Sequence, residues 1–192
     1  MPKGFTDQEK INIKKKLISA CQYHWTKFGY RKTNVEELCR SSGISKGAFY
    51  LFFENKESLF FETLLEVQND LYGNVEEILL KDQNKYGVAK AMKKIYRVYD
   101  TSPYMYDTSS ADFLSFYNKL SEQQQKEINL LSYHGAKEML QKSYLTLKVS
   151  EELALSVLST TLLTISLKDK MLSSTLEVFD FIIDSLVEEI FE

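Results

Sequence analysis

This chain has little of what an irregular, β-rich or disulfide-held protein needs. Its 192 residues contain two prolines, Pro2 and Pro103, and no stretch in which β-branched and polar residues alternate. With so few breakers, and with apolar residues recurring every three or four positions, the pattern predicts an all-α fold. The two cysteines, Cys21 and Cys39, fall inside helical patterns and form no C-x-x-C pair. That favours two buried, reduced thiols over a bridge or a zinc site. The histidines are His24 and His134 alone, and there is no D-D-x-x-D, no Glu-x-x-His and no glycine loop for phosphate. A helical enzyme therefore fits badly, and neither a metal nor another cofactor is implied. No apolar run approaches the roughly 20 residues of a membrane span. The first residues, MPKGFTDQEKINIKKK, lack the apolar core of a signal peptide, so the expectation is a cytoplasmic protein with no membrane partner.

What is present is 44% apolar and 27% charged residues, the composition of an ordinary globular protein. The net charge of -3 is unevenly spread: residues 1–56 hold eleven Lys or Arg against five acids, and the rest holds 13 against 22. A polyanion would be drawn to the first part and repelled by the second. Lys14-Lys15-Lys16 can equally be a solvated helix face, so charge alone leaves the two readings level.

Capping signals divide the chain. Thr6-x-x-Glu9 opens a helix whose Ile13, Leu17, Cys21, Trp25 and Phe28 form one stripe, and Gly29 supplies a left-handed stop. Thr33-x-x-Glu36 and Asn34-x-x-Glu37 are overlapping starts for a second helix, with Val35, Leu38 and Cys39 inward and Gly43 at its end. Ser45 caps a short third piece, Asn55 a long fourth helix with Phe60, Leu64, Val67, Leu71, Val75 and Ile78 as its buried stripe, and Ser121-x-x-Gln124 a later one. Another helix runs over roughly 87 to 100, and two more over 150 to 167 and from Ser174 onward. About nine helices result.

The third piece, residues 45 to 52, is far below the roughly 12 to 15 residues at which a helix is marginally stable in water. It can persist only docked, with Phe49 and Phe53 each contributing about 1.5 to 3 kcal/mol of burial. The outward face then carries Lys46, Gly47 and Tyr50, with Phe52 beside them. Two helices joined by a glycine turn, the second facing outward, make a helix-turn-helix, whose second helix fits the major groove of double-stranded DNA. Gly47 costs about 1 kcal/mol against alanine inside a helix, and close approach to a phosphate or base edge would account for it. Thr33 and Ser45 hydroxyls, Lys46, Tyr50 and Lys56 are candidate DNA contacts, with Asn34 and Ala48 on the same elements.

The run Phe28-Gly29-Tyr30, Thr33, Leu38, Gly43-Ile44-Ser45-Lys46-Gly47, Phe49-Tyr50, Phe53 and Asn55-Lys56-Glu57-Ser58-Leu59 resembles the DNA-binding domain of TetR-type transcriptional regulators over about residues 6–60. Cys39 and Ser42 stand where that family usually has alanine, and Phe52 where many members have tyrosine or histidine. The resemblance implies a three-helix DNA-binding domain over 1–55 and a regulatory and dimerisation domain over 56–192. It further implies a homodimer joined by its last two long helices, and a palindromic operator released when a small molecule shifts the fourth helix.

For the small-molecule effector, the ring-rich segment from Ala91 to Tyr117 offers Tyr96, Tyr99, Met105, Phe113, Phe116 and Tyr117 as pocket candidates for a lipophilic or aromatic compound, with His134 as a further one. Ordinary core is the competing reading for each ring. His134 and Glu138 alone are too few for a metal. For the dimer, Leu153, Val157, Thr161 and Ile165 line one side of the penultimate helix. Leu176, Phe179, Ile183, Leu186 and Ile190 step 3, 4, 3, 4 along the last. That seam is either an internal hairpin or, as the added width of Ile182 and Val187 favours, a surface shared with a second copy. A helical adaptor with a basic head on a membrane surface is the remaining alternative, and a salt-dependent, sequence-selective affinity for a DNA palindrome would separate it from a regulator.

Overall fold

The computed structural model describes residues 5–192, and residues 1–4 of the expected DNA-binding domain lie outside it. Ten α-helices and one 3-10 segment follow in order: α1 Asp7–Lys32, α2 Val35–Ser42, α3 Lys46–Phe49, α4 Lys56–Lys81, α5 Lys85–Thr101, α6 Pro103–Tyr106, α7 Ala111–Tyr117, α8 Glu122–Leu140, α9 Glu151–Leu162, the 3-10 segment Leu163–Lys170, and α10 Thr175–Ile190. The only strand-like pairing among the described residues is an isolated bridge between Leu147 and Phe191. The fold is all-α with an N-terminal helix-turn-helix.

Local chemistry sets the helix starts. Thr6 and Glu9 close the reciprocal capping box of α1, and Ser121 with Gln124 closes that of α8. Of the two overlapping starts for α2, Asn34 is the cap: its side chain accepts from the Glu37 amide at 2.9 Å. Gly43 ends α2 at φ +71°, where only glycine sits without strain, and Ile44 N–H returns to Cys39 at 3.0 Å. Two segments differ from the sequence reading. The expected helix over 150–167 tightens to 3-10 geometry after Leu162, and α3 contains only four helical residues before the turn at Tyr50 to Phe52.

Two cores organise the bundle. The first joins Leu17, Cys21, Trp25, Leu38, Phe49, Phe53 and Phe60 of the head to Met105, Phe113 and Phe116 of α6 and α7. Trp25 meets Phe60 at 4.7 Å and Phe116 at 5.0 Å between ring centroids, while Phe28, expected on the same stripe, is exposed. The second core packs Val88, Met92 and Tyr96 of α5 against Phe179, Ile183, Val187 and Ile190 of α10, with Ala154 and Leu158 of α9. Outside that seam, Lys85 pairs with Glu188 at 2.7 Å, Lys93 with Asp184 at 2.6 Å and Arg97 with Asp180 at 2.7 Å. The cores do not divide at residue 55, because α6 and α7 complete the head.

This corrects the expected dimer seam. Phe179, Ile183 and Ile190 are buried against α5 within one chain, Thr161 is buried and donates to its own helix at Val157, and Ile165 is buried too. Side chains with almost no accessible surface in the single chain cannot meet a second one. Of the expected set only Leu153 is exposed, with Val157 and Leu186 half-buried. The 3, 4, 3, 4 stripe is spent within the chain, chiefly on α5 rather than on a hairpin with α9, and the outward face of α10 carries Phe181 instead, 77% exposed.

Candidate DNA-reading face and effector cavity

The outward face begins with what α3 does not need. Phe49 is fully buried and Phe53 nearly so, their rings 5.8 Å apart, and together they fasten the four-residue helix to the head. Ser45 Oγ accepts from the Ala48 amide at 3.1 Å, so the cap is made inside α3 itself. Lys46, Gly47 and Tyr50 are left exposed, Tyr50 at 52%, with Leu51 also exposed and Ala48 half-buried. A Cβ added to Gly47 would meet nothing nearer than Ser45 Oγ at 3.9 Å. No close internal contact therefore demands a glycine at this position. Lys46 reaches the carboxylate of Glu36 on α2, which pushes the lysine pKa up and keeps the ammonium charged on the exposed surface.

Three expected DNA contacts face inward instead. Thr33 is buried, and its hydroxyl donates to Gly29 O at 2.8 Å. The half-buried Lys56 donates to Tyr30 O at 2.5 Å with its ammonium 3.8 Å from the Tyr30 ring centroid, and burial lowers its pKa. Phe52 packs against the head core with its ring 6.0 Å from Phe5. Thr33 before α2, Lys56 at the start of α4 and Phe52 after α3 read the same in sequence whether they turn inward or to solvent. Asn34, Ser45, Lys46, Gly47, Ala48 and Tyr50 remain together around the helix-turn-helix.

Besides the shared core, a bend ties the head to the rest of the chain. Gly29 takes φ +80°, and the amides of Tyr30 and Arg31 that this exposes donate to the Asp112 carboxylate of α7 at 2.7 and 3.0 Å. A Cβ on Gly29 would stand 2.8 Å from both carboxylate oxygens, so a side chain there would expel Asp112 as well as strain the backbone. Close by, Tyr30 donates to Glu57, Lys119 donates to Tyr30 Oη at 2.9 Å, and Trp25 Nε1 donates to Tyr104 O at 3.1 Å. No spacing rule links residues 30 and 112, and sequence reasoning missed the pair.

Beneath the bend lies a cavity of about 460 Å³, within the roughly 300 to 1,000 Å³ of small-molecule sites. Six helices, α4 to α9, and the 3-10 segment contribute its walls. Leu64, Gln68, Leu71, Tyr72 and Val75 come from α4, Met92, Ile95 and Tyr99 from α5, and Met105, Tyr106, Phe113 and Tyr117 from α6 and α7. No charged side chain is among the described residues that wall it. Tyr99 stacks on Tyr106 with centroids 4.2 Å apart, and burial pushes both phenols well above their ordinary pKa. Gln68 Oε1 and Tyr106 Oη are buried without a hydrogen-bond partner. A glutamine on an otherwise apolar stripe of α4 is the sequence signal for this wall.

The expected effector residues divide accordingly. Tyr99, Met105, Phe113 and Tyr117 line the cavity. Tyr96 does not: it stacks on Phe179 at 3.7 Å in the second core, with its hydroxyl 3.0 Å from Thr164 Oγ1. Phe116 is consumed by Trp25, Tyr30 and Phe60. His134 is exposed on α8, which turns Ser132, Gly135 and Ala136 to the cavity instead. No cluster of three metal-ligating side chains occurs among the described residues, and no described helix is long and apolar enough to cross a membrane.

Comparison with known proteins agrees with this geometry. Residues 25–63 match the family described as bacterial regulatory proteins, tetR family. The uncharacterized HTH-type transcriptional regulator YhgD of Bacillus subtilis is 30% identical over 69 residues, 36% of each chain. QacR of Staphylococcus aureus, an HTH-type transcriptional regulator, is 33% identical over 75 residues, 39% of this chain and 35% of its own. The chain thus spans about a third of the length of the curated relatives it matches. Over nearly the whole chain the likeness is one of fold. The B. subtilis regulator FadR, solved in complex with stearoyl-CoA, superposes with a TM-score of 0.69 at 16% identity, covering 92% of this chain and 98% of its own. FadR of Bacillus halodurans, a fatty acid degradation regulator, gives 0.66 at 14% identity over 96% of both.

Proposed function

The chain carries the DNA-binding head of the TetR family of transcriptional regulators, and on that premise we propose a ligand-responsive repressor that binds a palindromic operator as a homodimer and is released by a small lipophilic or aromatic effector. It is a cytoplasmic regulator and not an enzyme. The observation that carries the reading is α3. A four-residue helix held from behind by Phe49 and Phe53 leaves Gly47 and Tyr50 exposed, with Lys46 exposed beside its Glu36 partner. In the major groove, Lys46 and Tyr50 would meet base edges or phosphates, and the bare Gly47 would let the backbone come close.

Effector control follows from elements that belong to both parts. Helix α4 places Phe60 in the head core and Leu64 to Val75 on the cavity wall. On α7, Phe113 lines the cavity while its neighbour Asp112 holds the Tyr30 and Arg31 amides. A ligand that moves α7 or α4 therefore moves the base of the head, and a hundredfold loss of operator affinity needs only about 2.7 kcal/mol of coupling. A regulator of the same fold solved with stearoyl-CoA supports a lipophilic ligand here. A second copy would cover the outer face of α10, where exposed Phe181 lies beside half-buried Val178 and Ile182, with exposed Leu153 on α9.

The test is selection of bound sequences from a random duplex pool by the purified protein. An inverted repeat, with half-sites about one helical turn or a multiple of it apart, is expected. Its affinity should fall steeply with salt while sequence preference persists. Binding without a preferred site would overturn the reading in favour of a non-specific basic head. Sedimentation of Phe181→Glu should show a monomer, and an intact dimer would move the interface elsewhere.

A further inference from the structure

The cavity specifies more than an apolar guest. We infer that its effector is an uncharged amphiphile whose polar end carries a hydroxyl group, or another group that both donates and accepts, held between Gln68 and Tyr106. This rests on the ligand-responsive reading and narrows it to a chemical class.

Two observations carry the inference. First, an ionised group taken from water into this space would meet no opposite charge, because the wall offers only apolar, hydroxyl and amide groups. Without a counter-charge the desolvation penalty dominates, and a neutral guest of equal size is preferred. Second, the wall holds two unmet hydrogen-bonding groups of opposite need. Gln68, 9% exposed, leaves Oε1 without a donor, and Tyr106, 8% exposed, leaves its hydroxyl without any partner. Some of the other polar wall groups are engaged within the chain. Tyr72 donates to Leu131 O at 2.9 Å, and Asn129 donates to Tyr117 Oη at 3.0 Å. Buried polar groups are rarely left unpaired, so the pair asks for a guest that gives one hydrogen to the amide oxygen and takes one from the phenol. A hydroxyl can both donate and accept, whereas an ether or ester only accepts.

The experiment uses the full chain and the neutral dye Nile red, displaced by compounds of one chain length: decan-1-ol, its methyl ether, decanoate at pH 7.5 and decanoyl-CoA. Decan-1-ol is expected to displace the dye at about one-tenth the concentration of the ether, and the two anions less well than either. In Tyr106→Phe and Gln68→Met the preference for alcohol over ether should fall to about twofold or less, with dye affinity kept. Equal displacement by alcohol and ether in the unaltered protein, which does not depend on any variant folding, would overturn the inference. Tighter binding of decanoate or decanoyl-CoA would overturn it too, while leaving a lipophilic effector in place. Failure of the dye and of all four compounds to bind would instead remove the effector cavity, and with it the ligand-responsive reading.

Discussion

The two candidate sites are built in opposite ways. The DNA-reading face is a run of neighbours, residues 45 to 50, whose side chains split between a buried anchor and an open surface. The cavity gathers walls from α4 to Ile165, and its polar partners, Gln68 and Tyr106, stand 38 positions apart in the chain. A local site can be written in a few residues and altered one residue at a time. An assembled site is set by how helices pack, so its chemistry changes when distant elements shift.

The contrast is broken most severely by removing the anchor. Phe49→Ala should cost about 3 to 5 kcal/mol through the cavity it leaves. Operator binding would be lost while Nile red binding to the effector cavity persists, as paired titrations would show. Loss of both would mean that the head and cavity fold as one. Next comes the joint between them. Asp112→Ala leaves two amides without their carboxylate and should destabilise by about 1 to 3 kcal/mol, seen as a lower melting temperature at roughly 2 to 4 °C per kcal/mol. More telling, the effector-induced loss of operator affinity should shrink, and an undiminished response would exclude α7 from the coupling.

Within the face itself, Tyr50→Ala and Lys46→Ala should each weaken operator binding about tenfold with the dimer and melting temperature unchanged. Normal affinity in both would move the recognition face elsewhere. Gly47→Ala separates fold from function most cleanly. Since the added methyl meets open space, α3 should gain up to about 1 kcal/mol, yet the operator should bind less tightly because the backbone is held off. The smallest effect expected is none at all: a thiol reagent at neutral pH should label neither cysteine in the folded protein. Cys21 is buried with its thiol pushed up to about 12 by desolvation, and Cys39 is buried with its thiol also raised.

Sequence alone carried the head well, since caps, glycine turns and aromatic spacing act over three or four residues. Thr6, Asn34, Gly43, Ser45 and Asn55 each mark a boundary that the structure keeps. Direction was the part it did not carry. Thr33 and Lys56 have the chemistry of phosphate contacts and spend it on the carbonyls of Gly29 and Tyr30. The regulatory half was readable as helices but not as surfaces. The stripe Phe179, Ile183, Ile190 states that one face of α10 is covered and cannot state by whom. Likewise Tyr96 and Phe116 fill cores while Tyr99 and Phe113 border empty space, a difference made by partners up to about a hundred residues away.

Salt would reach one end of this molecule and not the other. Grip on a polyanion weakens as ions compete for its phosphates, but a guest held by uncharged walls has no Coulomb attraction for ions to screen. On the proposed reading, a rise in ionic strength would thus loosen the protein from its operator while its sensitivity to the effector stayed constant. Less effector-bound protein would then be required to free the gene, making such a regulator a sensor of two conditions through one structural asymmetry.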